Sequence, residues 1–266
     1  MLRPRIVPCL LVHDGGLVKT VKFKDPTYVG DPINAVKIFN EKESDELIVV
    51  DVDATAKKAE PDFKLIARLA VECRMPLCYG GGIRTAAQAK QIIALGVEKV
   101  AVSAAAIERP ALLGEIAQEI GNQSVVFVLD VKKRTWRGGY EVYTHNGRVG
   151  TGTDPIALAA QAAALGAGEI VVNSIDADGT MKGYDLQLAA AVRAATTLPM
   201  TVLGGAGSLD DIAALIRTCG VVGAAAGSLF VFKGAYRAVL INYPSPAQKD
   251  ELIRSALPAT AITARR

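Results

Sequence analysis

Eight short apolar runs, each followed by a longer alanine- and leucine-rich stretch, predict a single (β/α)8 barrel of the α/β class. Two further observations agree with this. Runs such as ELIVVDV and EIVVNS are apolar at nearly every position, as strands are when helices cover both faces of a parallel sheet. The chain also repeats itself at about half its length. Eight strand–helix pairs within 266 residues suit a closed barrel better than an open doubly wound sheet.

Strands are expected near 5–12, 46–53, 76–80, 98–103, 124–131, 169–174, 199–204 and 221–226. Helices are expected near 31–43, 61–74, 85–95, 109–120, 153–166, 184–197, 208–218 and 229–241. Asp31-Pro32, Asp154-Pro155 and Ser208-Leu209-Asp210-Asp211 supply N-terminal capping signals. The longest connections, 13–30 and 132–152, follow strands 1 and 5, on the face where barrel active sites lie. The barrel is expected over 1–245, and 246–266, ending in Ala-Arg-Arg, reads as a solvated tail.

The repeat is the most informative feature. DELIVVDVDA (45–54) matches GEIVVNSIDA (168–177), and MPLCYGGGIRT (75–85) matches LPMTVLGGAGS (198–208). Glu46 falls on Glu169 and Gly82 on Gly205, both 123 residues apart, while Val97 falls on Val221 at 124. PCLLV then aligns with FVLDV, placing Leu11 on Asp130 at a distance of 119. We read two half-barrels, about 1–122 and 123–245. A generic barrel explains a strand–helix rhythm but not the same special residues recurring at half length.

Composition narrows the class. Thirty basic residues face 27 acidic ones, interspersed, for a net charge of +3, so no nucleic-acid partner is expected. Lys19, Lys22 and Lys24 make a small anion site at most. Cys9, Cys73, Cys78 and Cys219 are scattered, which predicts free thiols and a cytoplasmic protein. With only His13 and His145 and no C-x-x-C, neither a metal nor another cofactor is expected. No signal peptide or bilayer-spanning run is expected either.

At the strand ends, Gly80-Gly81-Gly82 with Ser103, and Gly204-Gly205-Ala206-Gly207 with Gly227-Ser228, form two equivalent glycine-rich turns. Glycine allows backbone to approach a ligand, and the helix that follows favours an anion. Two such turns predict a ligand with a phosphate at each end. Between them lie Lys19, Asp51, Asp53, Asp130, Asn173, Ser174, Asp176 and Asp178-Gly179. Asp53 and Asp178 suit a cap or loop tie as well as a functional role. Asp130, strand-terminal after VVFVL, points to acid–base work.

These residues resemble the cyclase subunit of imidazole glycerol phosphate synthase over about 1–245. The resemblance is carried by PRIVPCLLV, GDPINAVKIFNEKESDELIVVD, YGGGIRT, GVEKVAVSAAA, GAGEIVVNSIDADGTMKGYD, VLGGAGS and AAGSLFVF. It implies a heterodimer with a glutaminase, whose ammonia crosses the barrel to a bisphosphate ribulosyl-formimino aminoimidazole carboxamide nucleotide. The products would be imidazole glycerol phosphate and aminoimidazole carboxamide ribotide, in histidine biosynthesis. It further implies an ammonia gate of Arg5, Glu46, Lys99 and Glu169, with Glu98 at the docking rim, although four such charges could equally be an ion-pair plug. The phosphate sites would comprise Gly81, Gly82, Ser103, Asp178, Gly179, Gly205, Gly207, Gly227 and Ser228. Substrate contacts would come from Asp51, Asn173, Ser174 and Asp176, and catalysis from Asp130 and Lys19.

The chain departs from that pattern at the chemistry. Leu11 stands where the family has its other catalytic aspartate, Ser103 where it has an asparagine, and Asp53 where it has a threonine. Leucine neither donates nor accepts a proton. Three readings follow: a working cyclase; a paralogue that supplies ammonia for the amidation of a surface-polysaccharide sugar by a third protein; or a silent glutaminase-activating scaffold. FKDPTYVGDPINAVKIFNEKESDELIV and AGSLFVFKG resemble the polysaccharide-associated members more closely. The sister isomerase of the pathway ranks lower, since it also relies on two strand-end aspartates and needs no ammonia gate.

Overall fold

A computed structural model describes residues 3–136, 138–234 and 236–257. Eight parallel strands close into a barrel: β1 (Arg5–His13), β2 (Leu47–Asp51), β3 (Leu77–Gly80), β4 (Lys99–Val102), β5 (Val125–Lys133), β6 (Glu169–Ser174), β7 (Met200–Leu203) and β8 (Gly223–Ala226). Each pairs with the next, and β8 returns to β1 with Arg5 opposite Gly223. Seven of the eight expected outer helices lie where the sequence places them: α1 (Pro32–Glu41), α2 (Phe63–Glu72), α3 (Ala86–Ala94), α4 (Ala111–Ile120), α5 (Pro155–Leu165), α6 (Leu186–Ala195) and α7 (Leu209–Cys219).

Local chemistry accounts for the helix starts. Asp31 and Asp154 cap α1 and α5, each with proline at the first turn, and Ser208 and Asp211 form a capping box on α7. Between strands and helices runs the main core, which includes Ile6, Leu10, Phe39, Ile66, Ile92, Leu112 and Ile216, all fully buried. Alternation along the strands sends the other set of side chains into the barrel.

The eighth helix departs from expectation. The stretch 229–241 is not a helix: it holds one turn, Ser228–Val231, and a two-stranded ribbon of Phe232–Lys233 with Ala238–Val239. Gly234 and Arg237 take positive φ there, which interrupts any helix. The outer helix is α8 (Pro246–Ala256), within the segment read as a solvated tail. Ser245 and Gln248 form a capping box on it, while Leu252, Ile253 and Ala256 pack against the main core. Lys249, 5% exposed, donates to the Glu43 carbonyl at 2.8 Å and to Asp45 at 2.7 Å. Residues 258–266, the rest of that tail, lie outside the described residues.

The two long connections are built as well. β1 runs into the hairpin Gly16–Val21 and Lys24–Gly30, and β5 into Tyr140–Thr144 and Val149–Gly150. Both rise from the C-terminal face of the barrel.

Replacing Lys249 with alanine leaves the Asp45 carboxylate without its cation. Lys249→Ala should lower unfolding free energy by about 2–3 kcal/mol. Urea melts that superpose on wild type would show that α8 is not anchored through this lysine.

Candidate functional site at the barrel mouth

From bottom to top, the barrel interior has three zones. At the strand starts Arg5, Glu46, Lys99 and Glu169 alternate in sign around a ring. Arg5 pairs with Glu46 and, at 2.7 Å, with Glu169, and Lys99 reaches both carboxylates at 2.8 Å. Burial alone would raise the Glu169 carboxyl, but Arg5 and Lys99 outweigh it and hold the group below its ordinary 4.5. Thr201 Oγ1 donates to Glu169 at 2.7 Å. Sequence reading missed this fifth member, because a hydroxyl at a strand start carries no charge to single it out.

Above the ring, Val7, Cys9, Ile48, Cys78, Ala101, Val126, Val171 and Ala225 form an apolar cluster separate from the main core. Leu11, Val50, Val128 and Leu203 pack on it. The lumen is thus apolar between an ionic floor and a polar mouth.

At the mouth, strand register sets Asp130 beside Asn173 and Leu11 beside Val50. Asn173 Nδ2 donates to Asp130 Oδ1 at 2.9 Å. In the repeat, Leu11 is the counterpart of Asp130, and Val50, 123 residues before Asn173, is the counterpart of that asparagine. A hydrogen-bonded Asp–Asn pair in one half therefore faces a Leu–Val pair in the other. Both members of the polar pair are replaced, not the carboxylate alone. Asp130 opens partly to solvent, yet protein packed around its carboxyl raises it from 3.8 to about 6, with the Asn173 hydrogen bond opposing.

Lys19 reaches into the same mouth from the β1 hairpin. It is 5% exposed, its Nζ donates to the Cys9 carbonyl at 2.5 Å, and burial lowers its pKa. A Cβ on Gly227 would lie 2.6 Å from that nitrogen, so a larger residue there would displace the lysine head.

The two glycine turns flank this centre. Gly82 takes φ +73° and Gly205 φ +107°, and a Cβ on Gly205 would sit 2.1 Å from the Gly183 carbonyl. Both positions demand glycine on steric grounds. Gly81 and Gly207 press equally closely on Asp51 and Met181. Single-turn helices, Ala104–Glu108 and Ser228–Val231, begin at the ends of β4 and β8. The Ser103 hydroxyl and Asn173 Oδ1 are buried without a hydrogen-bond partner, which leaves polar capacity at the mouth.

Four of the acidic candidates accept hydrogen bonds from neighbouring loops. Asp51 Oδ1 accepts from the Asp53 and Ala54 amides, and Asp176 Oδ2 accepts from the Lys133 amide. Both carboxylates tie down loop backbone. Asp178, grouped from the sequence with a phosphate pocket, instead accepts from Thr20 Oγ1 at 2.9 Å and the Phe23 amide at 3.3 Å, and so holds the β1 hairpin. Gly179 beside it lets the hairpin approach, since a Cβ there would meet the Thr20 carbonyl at 2.0 Å. Ser174, also buried, accepts at its carbonyl from the Asp178 amide.

Asp53 accepts from His13 Nδ1 at 2.7 Å, from the Asp14 amide at 2.8 Å and from Lys57 at 3.0 Å. Burial would raise its carboxyl, but these donors bring it down to about 2. Lys57 also pairs with Asp14 at 2.6 Å, so an ammonium already occupies the two carboxylates. The contact of His13 with Asp53 needed the fold to bring the ends of β1 and β2 together.

Fold and site together define a (β/α)8 barrel with an ionic floor, an apolar lumen and a polar mouth flanked by two glycine turns. The chain belongs to the histidine biosynthesis protein family, whose model matches residues 5–237. It is 56% identical over 253 residues to a Vibrio vulnificus protein provisionally named imidazole glycerol phosphate synthase subunit hisF3, covering 95% of this chain and 97% of that one. A Pseudomonas aeruginosa protein provisionally named subunit hisF2 is 51% identical over 251 residues, covering 94% and 99%. The imidazole glycerol phosphate synthase subunit HisF of Streptomyces avermitilis is 43% identical over 231 residues, covering 87% and 91%.

Two outcomes follow from the Asp130 environment. The folded protein keeps the Asp130 proton until about pH 6, whereas an unfolded chain releases it near 3.8. Wild type therefore loses stability as pH rises through that window. Partial exposure reduces the effect to about 1–2 kcal/mol. Asp130→Asn should gain on wild type by that amount between pH 4 and pH 7, read from denaturant melts at each pH; a constant gap would contradict the raised value. Secondly, Leu11→Asp places a carboxylate beside Val50 with no amide to meet it. It should cost about 1–3 kcal/mol at pH 8, with part returned by adding Val50→Asn. If the second change returns nothing, the two strand positions are not partners.

Proposed function

We propose that this chain is the synthase barrel of a glutamine-dependent amidotransferase, in which ammonia from a docked glutaminase crosses the lumen to a substrate at the mouth. The observation that carries this reading is the alignment of the charged ring, the apolar lumen and Asp130 along one barrel interior. The ring pairs each of its charges twice, so opening it means separating ions rather than moving backbone. Neutral ammonia suits an apolar lumen, where the ammonium ion would lose its hydration. Glu98, next to Lys99 on the floor side, is the rim contact we assign to the glutaminase.

At the mouth, the turns at Gly82–Ser103 and Gly205–Ser228 receive the two phosphates of a bisphosphate nucleotide. The reaction is the one assigned to imidazole glycerol phosphate synthase: ammonia attacks the ribulosyl-formimino carboxamide nucleotide, and cyclisation releases imidazole glycerol phosphate and aminoimidazole carboxamide ribotide. Asp130, with a pKa of about 6, is poised to take and return protons near neutrality. Asn173 orients it, and Lys19 supplies a dry cation over the reacting centre.

The Leu11–Val50 pair favours a second reading. Without the other acid–base group, the barrel keeps the conduit and hands ammonia to a third enzyme that amidates a surface-polysaccharide sugar. Numbered subunits among the relatives accord with a divergent copy of this sort.

The test supplies the purified protein with the bisphosphate nucleotide and excess ammonium salt at mildly alkaline pH. Under the first reading wild type turns over, and Asp130→Asn slows it by about 10²–10⁴-fold. No turnover by wild type, with activity gained in Leu11→Asp/Val50→Asn, selects the second. If a cognate glutaminase is neither bound nor stimulated, both readings fail.

A further inference from the structure

The β1 hairpin crosses the mouth and its tip meets the β5 hairpin. Phe23 and Gly147 are in contact, a Cβ on Gly147 lying 3.3 Å from the Phe23 ring. Beside this contact a cavity of about 330 Å³ opens between the two tips. Lys22 and Lys24 line it from one hairpin, Lys132 and Arg148 from the other, with Asp25 as its one carboxylate. Among the described residues, none of these four cations forms a salt bridge. Lys132 donates only to the Gly147 carbonyl, at 2.6 Å, and lies over the Tyr143 ring.

The backbone at the first tip is held against preference. Val21 pairs with Lys24, which leaves Lys22-Phe23 as a two-residue turn with φ of 54° and 63°. Such a turn favours Asn-Gly, and residues with a full side chain in both positions are strained. The hairpin therefore keeps a lysine and an aromatic ring at its tip at a conformational cost. The opposite tip takes the same left-handed conformation at His145 and Asn146.

We propose that this cleft binds a diphosphate group, which bridges the hairpins and keeps the β1 hairpin closed over the mouth. Cations on both walls call for a multivalent anion, because a monoanion would leave most of their charge unmet. An arginine can engage two phosphate oxygens at once, while lysines act as point charges. The volume lies at the lower end for small-ligand pockets, above what a single phosphate needs. The site exists only while the two hairpins touch, so occupancy and closure are one equilibrium. It is separate from the glycine turns inside the mouth and does not depend on the reaction proposed above.

Titration calorimetry of the full chain with pyrophosphate, ADP and inorganic phosphate, matched in ionic strength, tests the site. Pyrophosphate should bind, inorganic phosphate should bind more weakly, and raising salt from about 0.05 M to about 0.5 M should weaken both. ADP binding as tightly as pyrophosphate identifies the group alone as the determinant; tighter binding identifies a nucleotide. Lys24→Ala and Arg148→Ala should each weaken pyrophosphate on the order of tenfold, and Lys24→Glu/Arg148→Glu should abolish binding. Ser103→Asp and Ser228→Asp, which place a carboxylate in each glycine pocket, should leave it unchanged. Bound pyrophosphate should also slow tryptic cleavage after Lys22. Absence of binding, or binding lost in the serine variants while surviving charge reversal at Lys24 and Arg148, overturns the proposal.

Discussion

Everything in this molecule depends on closure of the sheet. Once Arg5 pairs with Gly223 and Glu169 with Val126, none of the eight barrel strands has a free edge, and the two-residue alternation of each strand divides inside from outside. That division carries Arg5, Val7, Cys9 and Leu11 up one wall and Val126, Val128 and Asp130 up another. The charged ring, the apolar lumen and the mouth are consecutive levels of one pattern. A shift of one residue in any strand would exchange its interior and exterior sets.

Closure also explains why the ion ring is tolerated. Burying four charges gains little net stability, since desolvation offsets most of the attraction. Here every carboxylate meets two cations, while Arg5 and Lys99 retain 28% and 18% side-chain exposure toward the floor. Hydrophobic residues could fill the same space more simply. A ring that holds together through ion pairs and borders solvent accords with the ammonia gate proposed above.

At the other end, the half-barrel repeat and the chemistry have parted company. The glycine turns recur in both halves, and both retain their steric need for glycine. The Asp130–Asn173 pair recurs only as Leu11–Val50. Replacing both members together avoids a buried amide without its carboxylate, which would be costly. The first half therefore keeps its shape while presenting Leu11 and Val50 where the second presents a carboxylate and an amide. The hairpins above it join the two halves again, with Asp178 of the second half holding the loop that follows β1.

Much of this was legible in the sequence. Strand-like runs, capping signals and the repeat located all eight strands and seven outer helices, because period and caps are local. The ring and the Leu11–Asp130 correspondence were also legible, since a repeat carries three-dimensional equivalence within one dimension. The last helix was not: an apolar run at 229–241 outweighed a polar one at 246–256, and only packing of Leu252 and Lys249 against the barrel decides between them. Nor could the sequence assign carboxylates to roles. Asp51, Asp176 and Asp178 are strand-end acids much like Asp130, and differ from it in which amide or hydroxyl the fold brings within reach. Val50 beside Leu11, Thr201 in the ring and the cations between the hairpin tips likewise depend on contacts between residues distant in the chain. The linear pattern determined the architecture and the level each residue occupies; the neighbours at that level were decided by tertiary structure, because hydrogen bonds and charges act across strands while periodicity acts along them.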